Sequence, residues 1–445
     1  MNYNTSRGTF MLYENLHITN NGELMIANTS TLDLAKQYGT PLYVMDKQQI
    51  IKNIKMYKEA ITKFDNAQIL YASKACDFLA MFQLCKQENI GVDVVSIGEF
   101  YTAIKANIPV EHIYYHGNSK TYQELEYAIQ NKVGCIVIDA IEEIHMIQEI
   151  ASQYNCVQKS LLRITPNIDP HTFEAVTTGI LDCKFGFAID TNTIDEAILT
   201  IKNCPNIHLA GIHCHIGSQI TDANSYQKTM VIMLQLIQQM KERYQINIEE
   251  LNIGGGFGIC YTKTDTQLNI QTLFQQLAKQ VEQYCQKHQL LLPKILIEPG
   301  RSIVADAGIT LYRVNSVKQI PNVRTYINID GGMTDNPRYA LYKSNYTVVC
   351  ANKMIQEPTV PYKIAGHCCE SGDLIAKDVI LPKIETNDIL AVLATGAYNY
   401  SMSSNYNRFL KPAVILVDKN QHQVVVKRET LQDLLRNDLS IQKEV

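Results

Sequence analysis

The 445-residue chain contains no run of about 18 apolar residues, the length a membrane-crossing helix needs. Its opening, "MNYNTSRGTFMLYENLHITN", is polar and mixed, not a charged start leading into an apolar core. Neither a membrane span nor a secretory leader is expected, and the protein reads as cytoplasmic. Basic clusters are also missing. Lys+Arg number 40 against Asp+Glu 44, a formal net charge of −4, and no basic run stands out. That removes the electrostatic footprint of a nucleic-acid binder. There is no dense cysteine framework either, because the 12 cysteines are scattered through stretches such as "VGCIVID" and "LDCKFGF" and read as reduced core residues. No internal repeat and no low-complexity linker is found.

What is present is ordinary globular material, 46% hydrophobic and 19% charged. At roughly 150 residues per domain the length suggests two. From "TPLYVMD" (Thr40 to Asp46) onward, short β-branched runs alternate with helical patterns such as "NSYQKTMVIMLQLIQQMKERY", whose apolar residues recur at three and four. Strands alternating with helices predict a parallel sheet. Counting the opening run, about eight such units fit an α/β fold, a (β/α)8 TIM-like barrel over residues 41–303. After "EPGRSIVADAG" the texture changes to short β runs with few helical patterns. Residues 304–445, with residues 1–40 and their run "ELMIAN", are therefore expected to form a β-rich, sandwich- or barrel-like domain.

In such a barrel, active-site residues gather where strands end at the carboxyl face. "ILYASKA" ends a strand on Lys74, and "GIHCHIGSQ", "NIGGGFG" and "EPGRS" also follow predicted strands. Each has a bland reading. A lysine at a strand end snorkels to water, a glycine-rich turn is often only a turn, and Glu298 with Arg301 is a salt bridge. The His213-x-His215 pair invites a metal, but no nearby cluster supplies further ligands with metal-like spacing, so no metal is expected. Converging at one mouth, the same residues suggest more. Gly254, Gly255 and Gly256 let backbone amides approach a phosphate, Ser218 offers a hydroxyl, a neutral imidazole of the histidine pair packs on an aromatic ring, and Glu298 holds a ring nitrogen protonated while Arg301 grips an anionic oxygen. In the β-rich half, "GHCCESGD" sets Cys369 among carboxylates, which suits a proton donor better than a nucleophile. "DGGMTDNPRYALY" and "GAYNYSMSSNYN" bring Arg338, Tyr342 and Tyr398 into loops fit to clamp a carboxylate or phosphate. One cofactor explains the set, pyridoxal 5'-phosphate, held by Lys74 as a Schiff base.

The ordered motifs "YASKA", "HCHIGSQ", "NIGGGFG", "EPGRSIVADAG", "DGGMTDNPRYALY", "CESGD" and "GAY", from about Thr40 to Asn407, resemble those of the fold type III, alanine racemase-like pyridoxal phosphate decarboxylases, and among them the diaminopimelate decarboxylases. The resemblance implies that Lys74 carries the cofactor and that Asp93, Arg163, His215, Ser218, Gly254 to Gly256, Glu298, Pro299, Gly300, Arg301 and Tyr398 surround it. It implies that Arg301, Arg338, Tyr342, Glu370, Ser371 and Tyr398 hold an amino-acid substrate. It further implies that Cys369 donates a proton at the partner subunit's barrel mouth, which makes the protein a homodimer with shared sites. The reaction implied is decarboxylation of meso-2,6-diaminopimelate to L-lysine. Glu298 favours a decarboxylase over a racemase, in which an arginine faces the ring nitrogen, and "CESGD" sets the chain apart from non-catalytic pyridoxal phosphate carriers. Relatives acting on ornithine, arginine, lysine or carboxynorspermidine remain the alternative, with "CDG"-like turns where this chain has "CESGD". His367, Cys368 and Tyr339 depart from the family pattern, as does part of "DPHTFEAVTTGILDCKFGF".

Overall fold

The computed structural model describes residues 13–169, 179, 182–189 and 191–441; most of the divergent loop that begins at Asp169 lies outside them. The chain divides into two units. One comprises Ile51–Cys260 and Thr266–Ile303, and the other holds the chain up to Ile50, the short stretch Tyr261–Asp265, and everything from Val304 on.

The first unit is the barrel. Its parallel strands are β1 (Ala67–Ala72), β2 (Gly91–Val94), β3 (Ile113–Tyr115), β4 (Cys135–Ile138), β5 (Gln158–Thr165), β6 (Ile207–Cys214), β7 (Glu250–Asn252) and β8 (Lys294–Ile297). Each pairs with the next, and β8 returns to β1 through Ile297 opposite Ile69, so no edge is left open. Leu70, Tyr114, Cys135, Val137, Leu161, Ala210 and Leu296 form a buried cluster contributed by these strands. The predicted helix is present as Ala223–Tyr244, started by Asp222, whose carboxylate accepts from the Asn224 and Ser225 amides. Tyr226, Met230, Met233, Leu234, Ile237 and Met240 keep its inner stripe buried. Each such side chain contributes roughly 1.5–3 kcal/mol by leaving water.

The opening run does not belong to the barrel. Leu42–Asp46 lies in the second unit, antiparallel to Gly308–Ile320 and parallel to Ala413–Asp418. All five of its residues are buried, so it lacks the polar alternation that distinguishes an antiparallel from a barrel strand in sequence. The barrel unit accordingly begins at Ile51 rather than residue 41. "ELMIAN" supplies Leu24–Ile26, the middle strand of a small three-stranded sheet. The main sheet of this unit runs in the order Leu374–Leu381, Val360–Ala365, Arg324–Ile329, Gly308–Ile320, Leu42–Asp46, Ala413–Asp418, Gln421–Val426. Its long strand Gly308–Ile320 shifts register between Val314 and Ser316 and so serves two sets of neighbours. All 12 cysteines are free. Among the described residues no helix is long and apolar enough to cross a membrane.

Candidate active site

Nearly every barrel strand ends on a side chain with chemistry. Lys74 follows β1 in a single tight turn, Ser73–Ala75, and is exposed at the mouth while Ser73 and Ala75 are buried. The Ser73 hydroxyl donates to the Asp93 carbonyl at 2.7 Å, fixing the turn against β2. Asp93 itself lies in β2, His116 directly follows β3, Asp139 follows β4, Arg163 lies in β5, His213 in β6 with His215 just beyond, Asn252 ends β7, and Glu298 follows β8. The barrel thus brings together the predicted residues Lys74, Asp93, Arg163, His215, Ser218, Gly254 to Gly256, Glu298, Pro299, Gly300 and Arg301.

Glu298 is the best-held group. It is 5% exposed. Asn252 Nδ2 donates to its Oε1 at 2.6 Å and His213 Nε2 to its Oε2 at 3.2 Å. His116 Nε2 lies 2.9 Å from Oε1, turned out of good hydrogen-bond alignment, and 3.9 Å from Asp93 Oδ1. Burial alone would raise the Glu298 carboxyl, but His116 and His213 outweigh it and hold the carboxyl well below its usual range, so it is ionised. Burial raises Asp93. Burial pushes His213 down to about 4, so it is neutral with its proton on Nε2. His116, His213 and Glu298 are the one grouping of three metal-ligating side chains among the described residues. Both Glu298 oxygens already accept hydrogen bonds within the fold, from Asn252 and from His213.

The glycine loop is held tightly. The Gly254 amide donates to Asn252 Oδ1 at 2.9 Å and the Gly255 amide to His215 Nδ1 at 3.3 Å, while Tyr226 donates to the Gly255 carbonyl at 3.1 Å. A Cβ on Gly255 would sit 2.0 Å from the Glu298 carbonyl oxygen, and one on Gly256, at φ +92, 2.3 Å from the Gly217 oxygen. The loop therefore needs glycine to pack against its own neighbours. Enclosure in the mouth, with the charges of Lys74 and Arg163, lowers His215 well below its ordinary range, leaving a neutral ring. Arg301 donates to the Ser218 hydroxyl at 2.8 Å, a guanidinium and a hydroxyl arranged for an oxyanion. Arg163 lies 4.1 Å over the Phe185 ring, with Nε 3.8 Å from Asp139.

In the second unit, Arg338 stands 5.6 Å from the ring centres of both Tyr342 and Tyr398 and donates to Ser344 at 3.2 Å. Cys369, Glu370 and Ser371 are exposed. Asp373 of the same motif is buried and pins the loop, accepting from the Met333 amide at 2.6 Å and the Cys368 amide at 2.7 Å. His367, one of the divergent residues, stacks on Phe409 at 3.6 Å, and burial raises the Cys368 thiol to about 12. These two departures thus lie in the loop's support.

Matched against known families, residues 47–305 fit the pyridoxal-dependent decarboxylase, pyridoxal binding domain. The chain is 42% identical to the diaminopimelate decarboxylase of Bacillus subtilis over 419 residues, 94% of this chain and 95% of that one. The chain belongs to the diaminopimelate decarboxylase family. Its fold matches the crystal structure of the M. jannaschii diaminopimelate decarboxylase in complex with L-lysine at a TM-score of 0.90, with 33% identity and coverage of 96% of this chain and 98% of that one. A Vibrio vulnificus lysine/ornithine decarboxylase, at 20% identity and a TM-score of 0.73 over 87% and 97% of the two chains, shares the fold.

The barrel mouth fits the pyridoxal phosphate that this family uses. It offers a strand-end amine, an ionised carboxylate, a neutral imidazole and an oxyanion pair, and buried polar atoms at Asp93 Oδ1 and His213 Nδ1 have no hydrogen-bond partner. Sequence reasoning missed His116, Asn252 and Glu99. His116, in "HIYYHG", directly follows its strand as Glu298 directly follows β8, and that shared position was the available signal. Glu99, on the helix after β2, accepts from the Val95 amide at 2.7 Å and is pushed up to about 7 by burial.

Proposed function

We propose that Lys74 carries pyridoxal phosphate at the barrel mouth and that the protein removes a carboxylate from meso-2,6-diaminopimelate, giving L-lysine and carbon dioxide. The observation that carries this reading is Glu298, an ionised, buried carboxylate fixed by Asn252 and His213 at the same end of the barrel as Lys74. The bound cofactor supplies an electron sink for the bond to the departing carboxylate. Glu298 keeps the ring nitrogen of that sink protonated. His215, neutral, would pack against the ring, where a cation would oppose its protonation. Ser218, Arg301, Gly254 to Gly256 and Tyr398 serve the phosphate, and Asp93, Arg163, Pro299 and Gly300 complete the surround. Arg338, Tyr342, Glu370 and Ser371 hold the substrate, with Glu370 for its far ammonium and Arg338 for its second carboxylate. Cys369, exposed on the loop that Asp373 pins, is supplied by the partner subunit of a homodimer and protonates the carbon left behind.

Carbon dioxide release is measured with meso-diaminopimelate, ornithine, arginine and lysine. Turnover of the first alone is expected, and brisk release from another with none from diaminopimelate would remove this substrate. Sharing is tested by mixing inactive Lys74→Ala and Cys369→Ala proteins and allowing subunits to exchange. Partial recovery is expected, and exchange without recovery rejects Cys369 acting across the interface.

A further inference from the structure

Two imidazoles meet the Glu298 carboxylate, and they do different work. His213, from β6, donates from Nε2 and is neutral. His116, from the far side of the barrel, is 3% exposed and stands edge-on to it, ring centres 4.7 Å apart at 73°. The charged groups facing His116 are Asp93 from β2, Glu298 from β8 and Arg163 from β5, with Asp139 after β4. Arg163 offsets Asp139. Asp93 and Glu298 then remain as two carboxylates in one enclosed space, with Asp93 Oδ1 and His116 Nε2 each lacking an aligned hydrogen-bond partner. Two like charges held this close cannot both persist without a cation between them, and His116 is the group placed there.

We propose that His116 is a positioning residue for the ring-nitrogen site: as an imidazolium between Asp93 and Glu298 it keeps Glu298 ionised, so that the proton shared with the cofactor's ring nitrogen resides on the nitrogen. This rests on the pyridoxal phosphate reading above. With His116 charged, the cluster is left with the single negative charge of Glu298, which one protonated ring nitrogen balances. With His116 neutral, two negative charges remain, Glu298 becomes the stronger base, and the proton moves toward it. Burial opposes charge on His116, but Asp93 and Glu298 outweigh it and raise its affinity for the proton. Asn252 and His213 orient the carboxylate, and His116 sets its charge.

The test uses holoenzyme loaded with pyridoxal phosphate carrying ¹⁵N in the ring. The wild-type ring nitrogen is expected in its protonated shift range, and that of His116→Gln displaced toward the unprotonated range. The loss in kcat/KM should be roughly tenfold, the factor that one unit of pKa represents, and should fall on kcat with KM little changed. A His116→Gln enzyme that binds cofactor with an unmoved ring-nitrogen resonance overturns the proposal. Wild-type protein that takes up no cofactor fails the function reading instead. If His116→Gln and His116→Asn both fail to fold or load, wild-type holoenzyme labelled with ¹⁵N-histidine decides. A buried imidazolium at pH 7.5 supports the assignment, and neutral rings at every buried histidine reject it.

Discussion

Two glutamates buried at opposite ends of the barrel strands, Glu250 and Glu298, are kept in opposite ways. Glu250 opens β7 at the amino end and is 5% exposed, as Glu298 is. It accepts from the Tyr114 hydroxyl at 2.8 Å and from Lys159 Nζ at 2.6 Å, with Lys294 3.8 Å away. Its partners are two lysines and the Tyr114 phenol, which burial raises well above its ordinary range. At the carboxyl end Glu298 has an amide, a neutral imidazole and a second histidine poised between two carboxylates. Polar atoms at that end are left over, whereas the Glu250 cluster is saturated. A buried carboxylate that closes its own hydrogen bonds serves the fold. One whose surroundings stay incomplete, and whose partners include two histidines, is prepared for a ligand.

The largest expected effect breaks the carboxyl end. Glu298→Gln keeps the volume and the Asn252 contact but removes the charge, and should lower kcat by roughly 10²-fold, the scale of a lost preorganised electrostatic group, with little change in unfolding midpoint. The matched change at the other end, Glu250→Gln, should do the reverse. It leaves Tyr114 and Lys159 with a poorer partner and should cost about 2 kcal/mol of stability, a value restrained because Lys159 and Lys294 are about a third exposed. Its kcat should stay within about twofold. Denaturant midpoints and steady-state rates on both variants decide. A Glu250→Gln enzyme with intact stability and lost kcat would erase the distinction between the ends.

The same contrast explains what could be read before any coordinates. The strand-end motifs were legible because barrel topology sends every strand end to one face, so Lys74, His215 and Glu298 are placed together by counting strands. The helix Ala223–Tyr244 was legible because its buried residues keep helical spacing. Leu42–Asp46 was misplaced because a strand buried along its whole length looks alike in either kind of sheet. His116 went unnoticed because its meaning is a distance, 2.9 Å to a residue on a strand across the barrel, and no local pattern carries that. Asp373 looked like part of the chemistry in "CESGD", yet its oxygens are occupied by backbone amides. A carboxylate that builds a loop and one that acts in it have the same letter.

The finest test of the comparison is a slope of stability with pH. His213 has a proton affinity lowered to about 4 in the folded protein against an ordinary 6.5. Between those values the unfolded chain binds the extra proton, so this residue makes stability rise with pH across the interval, by at most about 1.4 kcal/mol per pH unit. His116 is raised in the folded state, so its contribution is fully present below 6.5 and is lost as pH climbs through its raised value. The two histidines therefore act on opposite sides of 6.5, and His213→Asn should remove only the acid-side slope. Urea midpoints at pH 4.5, 5.5, 6.5 and 7.5 should diverge from wild type in their pH trend below 6.5 and run parallel above it. Curves parallel over the whole range would mean that His213 is not the neutral partner of Glu298, and the carboxyl end would then be closed by charge in the same manner as Glu250.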